Sequence, residues 1–267
     1  MQREHYTDEL SVQSPFRPAV RGTGGALKPY LVGAIVLAFV ATLCVNDAGA
    51  SQPADPIGRH TVTLGRSVDG RPITAIETGD FDSPRKALVV GCIHGNECAG
   101  AAVADRLTQT LPLPELDLWI VPNLNPDGAS NGTRGNAHGV DLNRNFPWRW
   151  TRLTGSYDSG PQPLSEPETR LAVRLIERLR PAISIWFHQA LNLVDDSSGS
   201  WILERRFAAI ARLPLAPLRS EPGSAVTWQS HRFPHATAFV VELPAGRLDS
   251  ASSSRLERAV LTTVTTP

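Results

Sequence analysis

Four short, mostly apolar runs stand out in the pattern of hydrophobic and polar positions along this chain. They are KALVVGCI (86–93), LDLWIV (116–121), AISIWF (182–187) and TAFVV (237–241). Runs of this length without polar alternation are typical of strands that are buried on both faces, as in parallel sheets. The pattern therefore predicts four central strands.

The segments between these runs have other periodicities. HTVTLGRSVDGRPITAIETG (60–79) contains two β-rich stretches around an Asp-Gly turn signal, which predicts a hairpin. SEPETRLAVRLIERLRP (165–181) has a leucine at every fourth position, which predicts a helix that ends before Pro181. Ser165 and Glu168 have the spacing of a capping box at its start. Strands that alternate with helices indicate an α/β fold: a single domain with a mixed, mostly parallel central sheet and helices on both faces.

The N-terminal region carries a different signal. PYLVGAIVLAFVATLCV (29–45) contains no charged residue, follows Arg17, Arg21 and Lys28, and precedes the small-residue triplet AGA (48–50). This pattern is typical of a secretory signal peptide, and it also fits an uncleaved N-terminal membrane anchor. In both cases the basic flank keeps the N-terminus cytoplasmic.

This signal divides the chain into three parts. We predict a disordered cytoplasmic segment at 1–28, a signal-peptide core or membrane anchor at 29–50, and a catalytic domain at 51–267. The domain would then be extracellular or lie at the cell surface. It would contact the membrane only through residues 29–45, and only if this segment is not cleaved.

Composition narrows the possible partners. Lys and Arg together number 26, as do Asp and Glu, so the chain has no global basic footprint for nucleic acid. Cys92 and Cys98 are the only cysteines outside the apolar N-terminal run. They do not form a disulfide scaffold, and they are either small buried side chains or, in an oxidising compartment, a bridged pair.

Candidate chemistry appears where the predicted strands end. His94 and Glu97 follow the first run, His188 follows the third, and Glu242 ends the fourth. Open α/β sheets bind ligands outside the carboxyl ends of their strands, so these four side chains are expected at one rim. Each has a simpler explanation alone, such as a turn histidine or a carboxylate favoured by a helix N-terminus.

Taken together, the four residues suit a catalytic zinc site. Two imidazoles and a carboxylate are a common ligand set that leaves one position open for water. A second carboxylate that does not bind the metal can move the proton of that water, and Glu242 suits this role. The loop RGNAHGVDLNRNFP (134–147) adds Arg134, Asn143 and Arg144, and arginine binds carboxylates and stabilises oxyanions.

The stretches HGNE, NPDG, RGNAHGVDLNRNFP, SEPET, WFHQ and VVELP occur in an order that resembles the zinc carboxypeptidases, the carboxypeptidase A-like metallopeptidases. The resemblance implies one zinc ion held by His94, Glu97 and His188. It implies that Glu242 is the general base and acid and that Arg134 polarises the scissile carbonyl. It also implies a substrate-carboxylate grip by Asn143 and Arg144, and a role for Asp141 in orienting a ligand histidine.

Within this family the chain looks most like the short bacterial murein-peptide amidases, which cleave γ-D-glutamyl–diaminopimelate bonds of cell-wall peptides. A peptide or murein-peptide substrate is the partner that this resemblance implies. One departure is that no tyrosine lies between His188 and Glu242, where the family carries a mobile tyrosine.

Two other hypotheses remain open at this point. One is a zinc amidohydrolase of the aspartoacylase or succinylglutamate-desuccinylase type, which acts on N-acyl amino acids and shares the HxxE pattern. The other is a catalytically inactive surface binding protein on the same scaffold. Such a protein is expected to lack a ligand or the base, whereas the chain retains all of them.

Overall fold

One eight-stranded sheet runs through the residues that the computed structural model describes, 57–196 and 200–266. The strands follow the order β1-β2-β4-β3-β5-β8-β6-β7 across the sheet once they are numbered along the chain. Their bounds are β1 Ile57–Arg66, β2 Pro72–Asp80, β3 Lys86–Val90, β4 Asp117–Val121, β5 Ile183–Gln189, β6 Leu193–Asp195, β7 Leu215–Ala216 and β8 Thr237–Leu243.

The centre of the sheet is parallel and its flanks are mixed. β3 pairs in parallel with β4 and with β5, and β5 pairs in parallel with β8. β1 and β2 form the predicted antiparallel hairpin, β2 is antiparallel to β4, and β6 is antiparallel to β8. The four central strands are those that the apolar runs predict, and the mixed, mostly parallel sheet is confirmed.

Helices cover both faces of the sheet. The described residues contain α1 Ala99–Leu107, α2 Pro126–Asn131, α3 Pro167–Leu179, α4 Trp201–Ala211, α5 Ala225–Arg232 and α6 Ser250–Thr265, with short 3₁₀ turns at Leu142–Arg144 and Gly155–Tyr157.

Two hydrophobic cores explain why the central strands are apolar at every position. Val89 of β3 belongs to the core that α1, α4 and α6 cover, together with Phe207. Its neighbour Leu88 belongs to the core under α3 and α5, together with Ile176 and Trp228. Successive strand residues point to opposite faces, so a strand between two helical layers must be apolar throughout.

The start of α3 corrects one prediction. α3 begins at Pro167, its N-cap is Glu166, and no side chain caps it, so the predicted capping box of Ser165 and Glu168 is wrong. Proline suits the first helical position, and it starts the helix one residue later than that box requires. The carboxylate of Glu168 instead accepts hydrogen bonds from the backbone N–H of Val68 and from Asn136, both at 3.0 Å.

The predicted N-terminal segments, 1–28 and 29–50, lie outside the described residues. Within the part of the chain that is described, no helix is both long and apolar enough to cross a bilayer. The signal peptide or anchor therefore stays a prediction from sequence.

Candidate active site

Three side chains of metal-ligand type converge at the carboxyl ends of β3 and β5. His94 and Glu97 lie in the turn between β3 and α1, and His188 is the sixth residue of β5. One potential ligand atom from each lies within 4.8 Å of the others. His94 Nδ1 is 2.9 Å from Glu97 Oε2 and 3.2 Å from His188 Nδ1. The structure thus brings together the three residues that the sequence predicts as metal ligands.

The turn that carries His94 and Glu97 is held from two sides. A side chain at Gly95 would place its Cβ 1.9 Å from the carbonyl carbon of Gly128, so only glycine allows this close packing. Cys92 and Cys98 are joined by a disulfide with a Cα–Cα distance of 4.7 Å. This bridge closes a loop around both candidate ligands and resolves the alternative that the sequence left open.

Glu242 reaches the same cleft from β8. It is the register partner of His188 in the parallel β5–β8 pair, so both side chains sit at the same level of the sheet. Glu242 is 9% exposed, and its carboxylate accepts a hydrogen bond from the Leu191 N–H at 3.4 Å. Burial, reinforced by the nearby charge of Glu97, raises the pKa of Glu242 above its ordinary value.

Asp141 and Arg134 form a layer behind the candidate ligands. The fully buried Asp141 accepts from His94 Nε2 at 2.9 Å and from Arg134 Nε at 2.9 Å. Arg134 Nη1 also donates to Glu97 Oε1 at 2.5 Å. Burial alone would raise the pKa of Asp141, but the charges of His94 and Arg134 lower it well below its usual range. Asp141 therefore stays ionised and fixes the orientation of the His94 ring.

The electrostatics of the three converging side chains favour a cation. Hydrogen bonds from His188 and His94 outweigh burial and lower the pKa of Glu97 below its usual range. Burial lowers the pKa of His188 to about 4, so this imidazole is neutral near pH 7. Asp141 outweighs burial and raises the pKa of His94.

The donor set passes a direct test of fit for a metal ion. A neutral His94 whose Nε2–H donates to Asp141 turns the Nδ1 lone pair toward a carboxylate oxygen of Glu97 and toward His188 Nδ1. Acceptors that face one another need a shared proton or a metal ion between them. Two imidazole nitrogens and one carboxylate oxygen are the ligands that zinc prefers.

Asn143 and Arg144 enter the cleft through the 3₁₀ turn at Leu142–Arg144. Asp141 caps this turn by accepting from the Asn143 N–H at 2.9 Å. The side-chain oxygen of Asn143 accepts from the Ala225 N–H at 2.9 Å, so its amide N–H groups are the ones left for a ligand. The side chain of Arg144 is 9% exposed, and its Nη2 lies 3.6 Å from Glu221 Oε2.

These side chains line one cleft that is open to solvent and has a cavity volume of about 160 Å³. The lining includes every predicted ligand, Glu242, Arg134, Asn143 and Arg144. It also includes Asp195, Arg219 and Glu221, which the sequence did not single out. These three belong to loops and strand ends whose position depends on tertiary contacts, and no local pattern marks them.

Tyr157 is a further residue that sequence reasoning missed. Its ring, 52% exposed, lies 5.2 Å from the guanidinium carbon of Arg134 and 5.3 Å from that of Arg144. These distances are within the range of cation–π contacts. The chain thus carries a tyrosine beside the cleft, although it comes from the segment before α3 and not from the stretch between His188 and Glu242.

Three other histidines of the described chain have partners away from this cluster. His60 pairs with Glu77 at 2.9 Å, and His138 pairs with Glu166 at 2.8 Å. The ring of His231 stacks on Trp148 with centroids 3.2 Å apart. These contacts give each ring a structural explanation.

Known proteins resemble this chain in sequence and fold. The family model for zinc carboxypeptidases matches residues 52–194. Murein peptide amidase A from Escherichia coli (strain K12) is 31% identical over 234 residues, which cover 80% of this chain and 93% of that protein. Carboxypeptidase N catalytic chain from Mus musculus is 32% identical over 198 residues, which cover 58% of this chain and 42% of that protein.

Solved structures agree with this relationship. The murein-tripeptide amidase from Escherichia coli O157 superposes with a TM-score of 0.64 at 28% identity, covering 81% of this chain and 97% of that one. Carboxypeptidase A from Helicoverpa armigera superposes with a TM-score of 0.63 at 19% identity, covering 78% of this chain and 66% of that one, which is evidence for the shared fold.

Proposed function

This chain belongs to the zinc carboxypeptidase family and is a metallopeptidase-type hydrolase, and on that premise we propose that it cleaves an amide bond next to a residue with a free C-terminal carboxylate. The observation that carries the proposal is the convergence of His94, Glu97 and His188 within 4.8 Å at the rim that also holds Glu242.

We assign His94, Glu97 and His188 as the residues that hold one zinc ion. When bound, zinc supplies a Lewis acid that polarises a carbonyl and makes a coordinated water acidic near neutral pH. Asp141 supports this role because its hydrogen bond to His94 Nε2 orients the other ring nitrogen toward the site.

Glu242 is the residue that we assign to proton transfer. Its carboxylate takes a proton from the attacking water and delivers it to the leaving amine. A general base works best when its pKa approaches the working pH, and the raised pKa of Glu242 is a shift in that direction.

The arginines of the cleft suit the two negative charges of the reaction. Arg134 lies beside Glu97 and can stabilise the oxyanion that develops on the scissile carbonyl. Arg144 and the free amide N–H groups of Asn143 can bind the terminal carboxylate of the substrate. Glu221 lies 3.6 Å from Arg144, so a substrate carboxylate that binds Arg144 would replace Glu221 as the partner of this arginine.

For the substrate class we propose murein peptides, with cleavage of the γ-D-glutamyl–diaminopimelate bond. The support is that a murein peptide amidase matches 80% of this chain, and that a murein-tripeptide amidase shares its fold along 97% of its own length. A general C-terminal peptide and an N-acyl amino acid are the two competing substrates.

We also propose that the domain is exported. The support is the uncharged run at 29–45 with its basic flank, and the disulfide of Cys92 and Cys98, since disulfides persist in oxidising compartments. Fusing the first 60 residues to a reporter that is active only outside the cytoplasm tests this proposal, and an inactive reporter contradicts it.

A peptide panel tests the reaction and the substrate together. The purified protein is incubated with murein tripeptide, a set of C-terminal peptides and a set of N-acyl amino acids, each with and without a chelator. We expect chelator-sensitive release of diaminopimelate. Selective turnover of N-acyl amino acids would contradict the proposal, and so would chelator-resistant turnover of any substrate.

A further inference from the structure

The segment from Leu218 to Glu221 forms part of the cleft wall and carries charges that the proposed reaction does not use. Arg219 is exposed there, and its guanidinium makes no hydrogen bond or ion pair with any residue that the structure describes. Glu221 follows two residues later, and its side chain is 39% exposed.

The other two arginines of the cleft are already balanced by carboxylates. Arg134 donates to Asp141 and to Glu97. Arg144 lies 3.6 Å from Glu221. Among the described residues that line the cleft, Arg219 is therefore the positive charge without a protein partner, and it is available to an anionic ligand.

The backbone around Arg219 is anchored although its side chain is free. The Leu218 N–H donates to Asp195 Oδ1 at 2.8 Å, and the Gly223 N–H donates to the Trp148 carbonyl at 3.1 Å. Gly223 has φ +68°, and a Cβ there would lie 2.3 Å from the carbonyl oxygen of Arg144. The segment is thus fixed beside Arg144, which gives the Arg219 backbone a defined place in the cleft wall.

We propose that Arg219 determines specificity by binding a second carboxylate, one carried by the side chain of the residue that cleavage releases. A guanidinium binds a carboxylate through two parallel hydrogen bonds, a geometry that fits a planar anion. Glu221 offers a complementary charge for an ammonium group on the same side chain. The side chain of diaminopimelate carries both groups, since its far end bears an ammonium and a carboxylate on one carbon.

This inference rests on the proposed function, and two substrates isolate it. γ-D-glutamyl-meso-diaminopimelate and γ-D-glutamyl-L-lysine share the scissile bond, the terminal carboxylate and the distal ammonium, but the lysine compound lacks the distal carboxylate. The ratio of their kcat/KM values reports the recognition of that carboxylate. General defects in folding or catalysis cancel in this ratio.

The experiment measures the ratio for the wild type and three variants. A hydrogen-bonded charge pair predicts a preference of the wild type for the diaminopimelate substrate of about tenfold to a hundredfold. Arg219→Gln should reduce the ratio to near one, and Arg219→Lys should retain part of it. Arg258→Gln removes the same charge from an exposed position of α6 and should leave the ratio unchanged.

The possible results distinguish a failure of the role of Arg219 from a failure of the proposed function. Cleavage of both substrates with no preference, or with a preference that Arg219→Gln leaves intact, overturns the role of Arg219 while the zinc hydrolase stands. Cleavage of neither substrate, with turnover of N-acyl amino acids, overturns the proposed function and the inference with it.

Discussion

The pKa values of buried carboxylates shift in opposite directions in two regions of this protein. In the candidate metal centre, Glu97 and Asp141 lie against histidine and arginine side chains, and the pKa of each is lowered. On α4, Glu204 is fully buried, and neither of its carboxylate oxygens has a hydrogen-bond partner among the described residues. Desolvation, together with the charges of Asp195 and Asp196, raises the pKa of Glu204 to about 7.

The difference shows what allows a negative charge to be buried. At the metal centre, neighbouring cations and hydrogen-bond donors keep the carboxylates ionised and available to bind a metal. Glu204 has no such neighbour, so it keeps a proton up to about pH 7. Glu242 lies between these cases, since it is in the cleft and has a raised pKa, as a group that exchanges protons requires.

The largest effect should come from Glu242. Glu242→Gln keeps the size of the side chain but cannot accept the proton of water, so kcat should fall at least about 10²-fold. The metal content should remain that of the wild type, because Glu242 is outside the ligand set. Near wild-type turnover of this variant would remove Glu242 from the role of base.

Glu204 tests how a buried carboxylate without a cationic partner changes the stability of the protein with pH. Its pKa is raised on folding, so the protonated folded state is favoured below about pH 4.5 and stability is lost as pH rises toward 7. Glu204→Gln should therefore be more stable than the wild type at pH 8, by up to about 3 kcal/mol in the free energy of unfolding. Denaturant titrations at pH 4 and pH 8 measure this difference.

The pH dependence is the decisive part of that experiment. The two proteins should have similar stabilities at pH 4, where Glu204 is protonated in both the folded and the unfolded state. An equal offset between them at both pH values would indicate an effect of packing and would contradict the raised pKa.

Asp141 tests whether a carboxylate that is paired with histidine and arginine supports metal binding. Asp141→Asn keeps the shape of the side chain but removes the charge that orients His94, so metal affinity should weaken about tenfold to a hundredfold. Competition with a chromogenic chelator measures the affinity. Asp105→Asn removes the same charge from an exposed position of α1 outside the cleft lining, and it serves as a control for altered net charge. Unchanged affinity in Asp141→Asn would show that His94 needs no such partner.

The disulfide should have the smallest effect. Replacing Cys92 and Cys98 by serine removes a short covalent loop, and the entropy of closing such a loop predicts a loss of about 2 kcal/mol in the free energy of unfolding. Thermal unfolding with and without a reductant measures the loss, and the serine variant should not respond to the reductant. A wild type that also fails to respond would argue against the bridge.

Sequence alone could predict the central sheet and the four central residues of the candidate site, and both predictions have the same physical basis. Strands buried on both faces must be apolar throughout, so their ends are visible, and polar residues just past those ends meet at one rim. His94, Glu97, His188 and Glu242 were found in this way. The resemblance to a known family then supplied the expected roles of the loop residues.

The features that sequence missed depend on tertiary contacts. Tyr157 lies beside the cleft and over the guanidinium of Arg134. Arg219 lines the cleft from a segment whose course is set by close packing at Gly223. Glu204 is followed by two arginines in a surface helix, so nothing local marks it as buried. The capping box failed because Pro167 moved the helix start by one residue.

The central claim is that His94, Glu97 and His188 hold one zinc ion that the enzyme needs. The most direct measurement is the metal content of the purified protein by mass spectrometry, compared with that of His188→Ala, alongside turnover before and after chelation. We expect about one zinc per chain, its loss in the variant, and turnover that chelation abolishes and added zinc restores. A metal-free protein with undiminished turnover, or zinc retained at full stoichiometry in His188→Ala, would contradict it.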